Sequence, residues 1–434
     1  MPTDSLDRKA TFTLPDGLEI FGGFSGDEMQ RSDRDPVRFP TILSGDIGVS
    51  KQIDDNVYHV VTLIDATDGV SVDGLWITDA QNDRPEELGR GGGIYAVRSV
   101  LRIRQCTVTR NMALGGGGLW NEESMIDISY STLSDNENRA VHNNNSKLTI
   151  RETIIESNRN TGHEGGAIFD SHGSATTAVD CVFVSNHSQS EGGAVFSLGT
   201  SVYVNCVFRG NRCGDYGGAF FQWAGSLTLT NCTFADNWVR NFFGGGVSSI
   251  PKPTIVNCVF WGNRSPRGDV QRQQRSTTSA VINHSCVQGW TGSYGGVGNH
   301  GLDPRFIDFD KGDFRMEAGS PCIDAGDNAA VTSPHDLDGN PRILNDVVDM
   351  GAYESICSDV EPVRLKCPGQ SKLKATLPTR LPDGGTVIFS SDADRPKSAP
   401  VRRGKAKAKW DRPPDGSEIC ASGCPETCRR SKCE

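Results

Sequence analysis

Short runs in which apolar and polar residues alternate recur along the chain, as in Val100-Leu-Arg-Ile103, Lys147-Leu-Thr-Ile150, Ser201-Val-Tyr-Val204 and Leu227-Thr-Leu229. A period of two is that of a strand with one face buried. No segment sustains a period near 3.6, so helices are not the repeating element. The pattern predicts an all-β chain of short strands broken by turns.

The strands fall in register with two recurring phrases. The first reads Cys/Thr-x-Phe/Ile-x-x-Asn and ends at Asn111, Asn136, Asn158, Asn186, Asn211, Asn237 and Asn263, which are 25, 22, 28, 25, 26 and 26 residues apart. The second is a glycine phrase: GGGI at 91–94, GGGL at 116–119, GGAI at 165–168, GGAV at 192–195, GGAF at 217–220 and GGGV at 244–247. A unit of this length, with three short strands and three turns, cannot bury its apolar face alone but can do so against a neighbour. The expected architecture is a parallel β-helix. Val70–Thr78 reads as the coil before the clear repeats and Val281–Cys286 as one after them, with the solenoid running over about residues 11–354 in about thirteen coils.

Stacked coils turn repeated letters into columns. Cys106, Cys181, Cys206, Cys232 and Cys258 are expected as an inward row of small thiols, and Phe183, Phe208, Phe234 and Phe260 as stacked rings. The seven asparagines are expected at a turn, where Asn tolerates left-handed backbone and its amide can bridge to adjacent coils. Gly-Gly permits a tight corner and close approach of backbones.

Composition narrows the function. Hydrophobic residues make up 36% of the 434 residues and glycine adds 50 more, a globular composition. No stretch is apolar enough to span a bilayer, and Met1–Ala10 is too polar for a signal-peptide core. Residues 355–434 carry sixteen Lys and Arg against ten Asp and Glu, so the tail is +6; the remainder, with 28 against 44, is −16. An acidic body repels nucleic acid, and the basic run Arg402 to Lys409 reads as a solvated strand face.

The pairing of GGAI, GGAV and GGAF with FVSN, FRGN, FADN and FWGN resembles the repeats of the polymorphic outer membrane protein family. The whole body resembles bacterial β-helix proteins of the choice-of-anchor Q type. Their opening phrase is matched by LPDGLEIFGGFSGDE (14–28) and RDPVRFPTILSGDIG (34–48), and their closing phrase by SPCIDAGDN (320–328), DLDGNPRI (336–343) and VDMGAYE (348–354). The resemblance implies a pectin-lyase-like right-handed parallel β-helix over 1–354, exported or displayed at the cell surface and usually without known activity. Met1 falls inside the matched opening phrase, so the chain is expected to be truncated at its N-terminus relative to the family, or its start to be placed too late. Self-insertion into an outer membrane through a terminal barrel, as in the polymorphic proteins, is not expected of it.

Residues 355–434 read as a small β-sandwich-like module. Cys357, Cys367, Cys420, Cys424, Cys428 and Cys433 are candidates for up to three disulfides of undetermined pairing, which argues for an oxidising compartment. Their spacing lacks a CxxC knuckle and a nearby histidine, against zinc.

Candidate chemistry is sparse. Glu164, Glu191 and Asp215 precede Gly-Gly corners and are expected to stack, sharing a Ca2+ or standing as solvated turn residues. Tyr95, Trp120, His142, Phe169, Phe196 and Phe221 follow the glycines; pointing outward they would stack on sugar rings or a partner protein, and inward they are core, the reading preferred here. Asp336, Asp338 and Asn340 of DLDGN read as a polar cap or a calcium loop. No paired-Asp, His and Arg constellation of pectinolytic enzymes is visible, and Arg102, Arg104 and His300 are isolated echoes. The expected function is a non-catalytic extracellular or surface protein that contacts polysaccharide or a cell-surface protein. The alternatives are a polysaccharide lyase or glycoside hydrolase with carboxylates on the loops Gln81–Arg90 or Gly289–Asp303, or a rigid spacer.

Overall fold

The computed structural model describes residues 7–84, 89–162, 164–266, 272–274, 281–292, 295–344 and 346–355, together with parts of 364–430. The chain is all-β. Three parallel sheets of ten strands each take one strand in turn from every coil. In one coil these are Leu119–Glu122, Met125–Ser129 and Thr132–Ser134. A fourth, short sheet is built from two-residue strands, among them Arg159–Asn160, His187–Ser188, Arg212–Cys213 and Trp238–Val239. This is a parallel β-solenoid.

Its registers are the columns that the repeats require. Ile94, Leu119, Val141, Ile168, Val195 and Phe220 are consecutive partners in the first sheet, and all are buried. In the third sheet Phe183, Phe208, Phe234 and Phe260 stack at centroid spacings of 4.6, 4.6 and 4.9 Å, with planes within 6°. That separation is the distance between adjacent hydrogen-bonded strands, so ring stacking follows from the backbone pitch.

The asparagines form a continuous buried amide column. Each Nδ2 donates to the Oδ1 of the next at 2.8–3.2 Å, from Asn111 through to Asn263. The left-handed backbone expected of them belongs instead to the residue before: Arg110, Asp135, Ser157, Ser185, Gly210, Asp236 and Gly262 all have φ between 53 and 67°. The side chain must point inward to reach its neighbours, so the preceding residue makes the corner. The thiol column also differs from a row of inert apolar groups. Cys106, Cys181, Cys206 and Cys232 donate to the carbonyl two residues back, as do Ser131 and Thr153 in the coils where no Cys stands. The position demands a small buried donor, which explains why Cys, Ser and Thr interchange there.

A second polar column runs inside the first sheet: Asn121, Asn143, Asp170, Ser197 and Gln222, each wholly buried. Asn121 donates to Asn143 Oδ1 at 2.7 Å, and Asn143 in turn to Asp170 Oδ1 at 2.9 Å. Burial pushes the Asp170 carboxyl up to about 6, against hydrogen bonds from Thr176, Asn143 and Ser197 that favour its charged form.

The glycine corners need glycine for space. A Cβ on Gly193 would lie 1.9 Å from the carbonyl oxygen of Gly218 in the next coil. The glycine before it, Gly192, has φ +62°.

Ten strands per sheet mean ten levels rather than thirteen. Two early connections are long, from Phe21 to Thr41 and from Ser44 to Val61, and the last parallel strand is Cys286–Val287. Short of the expected end at 354, the parallel ladders among the described residues reach no further than this strand. Beyond it come an antiparallel pair, Phe306–Asp308 with Asp313–Met316, and a turn-rich stretch.

The chain divides into two compact units. One comprises Met1–Ile255, Phe260–Ile282 and Thr291–Gly295; the other comprises Val256–Val259, Asn283–Trp290 and Gly296–Glu434. The second contains the C-terminal β structure, a three-stranded and a four-stranded antiparallel sheet. Cys420 lies on Glu418–Ala421, and Cys424 and Cys428 lie on Cys424–Arg430. Cys357, Cys367 and Cys433 lie outside the described residues.

Candidate functional site

The residue that follows each ladder asparagine turns outward onto the short fourth sheet. Arg159, His187, Arg212, Trp238 and Arg264 are partners on five consecutive levels. All five are exposed, Trp238 to 40%. Arg264 is ion-paired with Asp236, whereas Arg159 and Arg212 form no ion pair among the described residues. His187 is held below its ordinary value by burial first and then by the Arg159 and Arg212 charges on either side. Below this stretch the same column holds Met112 and Glu137. A file of cations with an indole in it thus runs along the axis of an acidic body.

The sequence-predicted rows stand elsewhere. Glu164 pairs with Glu191, but Glu191 pairs with Tyr216, which in turn pairs with Phe243. Asp215 is one residue out of that register, and its carboxylate accepts from Ser190 Oγ and Asn241 Nδ2 at 3.0 Å each. Glu164 and Glu191 stand directly before their glycine phrases whereas Asp215 stands one residue earlier, with Tyr216 in the aligned position, so the expected three-carboxylate stack becomes two carboxylates followed by aromatic rings.

The row Tyr95, Trp120, His142, Phe169, Phe196 and Phe221 is in register on six levels. It alternates with the buried column that begins at Ile94; Trp120, Phe196 and Phe221 are nonetheless buried, as the core reading expects, and Tyr95, His142 and Phe169 are half-buried. The row is thus largely covered. Trp120 stacks on His142 at 4.0 Å, and Phe169 on Phe196 at 5.5 Å. Arg90 and Arg139 lie over the Trp120 and Phe169 rings at 4.7 and 4.8 Å. Burial followed by the charges of Arg139 and Arg90 keeps His142 well below its ordinary value. These rings form an outer hydrophobic seam rather than an open sugar-stacking strip.

Arg102 and Asp127 line a shallow hollow on the second sheet with Met125, Lys147 and Thr149. Arg104 stands beside it over the Tyr130 ring. With one carboxylate, the hollow does not present the paired acids of a glycoside hydrolase.

In the second unit the closing phrase bonds to itself. Asp336 Oδ1 accepts from the backbone of Asp338 and Asn340 at 3.0 and 2.7 Å, while Oδ2 accepts from Asn340 Nδ2 and the backbone of Glu354 at 3.2 and 2.8 Å. Asp349 accepts from the backbone of Asp324 and Ser355, and the buried Arg342 bridges Glu354 with the carbonyls of Asp349 and Gly351. Burial raises the carboxyls of Asp338 to about 6, Asp349 to about 7 and Glu354 to about 9. With its oxygens engaged by four internal donors, Asp336 is arranged as a cap rather than as a calcium ligand.

Among the described residues one set of metal-type donors converges: Cys286, His300 and Cys322, whose ligand atoms all lie within 4.8 Å of one another. Cys286 comes from the last parallel strand and His300 from the partner of an isolated bridge to it; Cys322 comes from the turn after the antiparallel pair. Both cysteines are wholly buried and His300 is half-buried. Cys322 is drawn down to about 6, chiefly by a hydrogen bond from Cys286 and then by His300 and Ser320, against its burial. Spacings of 14 and 22 residues gave no motif by which to find this group in the sequence.

No protein-family model, curated protein or solved structure matches the chain. The solenoid assignment accordingly rests on the register and hydrogen bonds described above. No helix among the described residues is long and apolar enough to cross a membrane.

Proposed function

We propose that the protein is a non-catalytic surface-contact β-solenoid that holds an extended acidic polysaccharide along the column Arg159, His187, Arg212, Trp238 and Arg264. The observation that carries this reading is the column's regularity: one exposed cation or aromatic ring per level over five levels. A polymer laid parallel to the axis would meet one contact for each step of about 4.8 Å. Guanidinium groups pair bidentately with carboxylate or sulfate, and an indole face accepts the apolar face of a sugar ring. A repulsive body around a basic file favours one polyanion track over indiscriminate adsorption. A role outside the cell or on its surface fits such a ligand. It also fits what the GGA and FxxN phrases imply by their resemblance to polymorphic outer membrane and choice-of-anchor Q proteins.

The test is binding to polygalacturonate and to a sulfated glycan, with neutral dextran as control, by calorimetry at two salt concentrations. The reading expects binding to both polyanions that weakens with salt, and none to dextran. Arg159→Gln and Arg212→Gln should each weaken it about fivefold, from about 1 kcal/mol per exposed pair. His187 is held low by burial first and then by Arg159 and Arg212; a polyanion offsets the charge contribution, so its pKa rises in the complex and binding to the sulfated glycan should tighten as pH falls from neutral toward 5. His187→Gln should flatten that dependence. Equal affinity of the arginine variants and the native chain would refute the assignment.

A further inference from the structure

We propose that Cys286, His300 and Cys322 form a zinc site with two thiolates, one imidazole and an open fourth position. The donors come from three separate segments and lie within 4.8 Å of one another. Tetrahedral zinc, with bonds of about 2.3 Å to sulfur and 2.0–2.1 Å to nitrogen, needs its donors roughly 3.5–3.8 Å apart, so contraction of about an ångström closes the site. His300 Nε2 is enclosed, and the side chain it interacts with is the Cys322 thiol. A disulfide between the two cysteines would leave that nitrogen orphaned, whereas a metal occupies all three donors at once. The imidazole among the thiolates suits zinc over the hard, oxygen-seeking cations.

The surroundings allow loading at small expense. His300 Nδ1 now lies 3.3 Å from the Leu302 backbone N–H, a long contact. When Nε2 binds metal, the ring proton sits on Nδ1 and that N–H turns to solvent, which it can reach because Leu302 is 61% exposed. Cys286 Sγ donates to the Leu302 carbonyl at 3.2 Å; on binding, both thiols release their protons to bulk water as the two sulfur–zinc bonds form. The site also distinguishes these cysteines from the column of Cys106, Cys181, Cys206 and Cys232, whose thiols cap carbonyls two residues back. Zinc here would pin the segment carrying Cys322 to the last parallel strand.

The full chain, purified with a phosphine reductant and stripped with chelator, is titrated with zinc, and with cobalt as a spectroscopic probe. The expected result is saturable binding with thiolate-to-cobalt charge-transfer bands and the visible bands of tetrahedral cobalt. Cys322→Ser and His300→Gln should each lower the zinc content by one equivalent, while Cys420→Ser leaves the cobalt spectrum of this site unchanged. His300→Gln retains both thiols and tests the imidazole without emptying the core; its circular dichroism is compared with the native chain's. Unchanged stoichiometry in both variants would overturn the proposal. So would thiol-trapping mass spectrometry that finds Cys286 and Cys322 disulfide-linked in the chain as isolated from its source without reductant.

Discussion

Asp170→Asn is expected to stabilise the protein at neutral pH and to do nothing at pH 4. Asp170 lies wholly within the solenoid, where Asn143 Nδ2 and Thr176 Oγ1 both donate to Oδ1 at 2.9 and 2.6 Å, with Ser197 on the next level also favouring its charged form. Burial lifts its folded pKa from 3.8 to about 6. The folded state therefore keeps a proton between about pH 4 and 6 that the unfolded chain gives up. Stability falls as pH rises through that window, and the whole penalty is present above about pH 6. Two units at 1.36 kcal/mol each make it about 3 kcal/mol. Asparagine is isosteric, retains the doubly accepting oxygen, and places an NH2 group toward Ser197 on the next level, continuing the amide column of Asn121 and Asn143. Urea denaturation of both chains at pH 7.5 and pH 4 checks this, because the difference between variant and native chain cancels every other titrating group. A gain of about 2–3 kcal/mol at pH 7.5 that disappears at pH 4 is expected. An equal offset at both values, or a loss at pH 7.5, would refute the claim that the buried charge is what the fold is paying for.

Other columns make sharper, destabilising predictions. Asn186→Ala removes donations to Ile155 O and Asn211 Oδ1 and orphans the backbone N–H of Asn158, whose Nδ2 keeps the Leu133 and Glu156 carbonyls, so a loss of about 3 kcal/mol in denaturant unfolding is expected. Gly193→Ala places a Cβ 1.9 Å from Gly218 O and should abolish soluble expression or sharply lower the melting temperature. Gly289→Ala, at φ +73° with nothing within 4 Å, should cost only about 1–2 kcal/mol by the same melting assay.

The inward columns were legible because each interior position imposes one chemistry on every coil: an amide that must meet an amide produces the same letter at steps of 22 to 28 residues. Where several residues satisfy one demand, the letter dissolves. The corner before each asparagine accepts Arg, Asp, Ser or Gly, so its left-handed backbone left no mark, and the donor column reads as cysteine only where serine or threonine has not replaced it. Counting residues also failed at Asp215, which lies one residue before the position aligned with Glu191, and that position is held by Tyr216. The zinc-type cluster was hidden for another reason. Its three residues come from a strand end, a loop and a turn beyond the repeats, and only the fold brings them together.

The outward column was readable in principle, because Arg159, His187, Arg212, Trp238 and Arg264 each directly follow a ladder asparagine. Nothing in the fold requires cations there. Met112 and Glu137 occupy the same column two and one levels earlier, with the same parallel pairing. Side chains pointing to solvent contribute little to stacking energy, and the three arginines stand on alternate levels with His187 and Trp238 between them. Burial first, and then the Arg159 and Arg212 charges on either side, keep the His187 pKa low, so the unbound protein carries a stability cost as pH falls below the ordinary histidine range. Such a cost is intelligible when an anionic ligand removes it, which makes the column, rather than the covered aromatic seam or the single-carboxylate hollow, the surface on which function is to be sought.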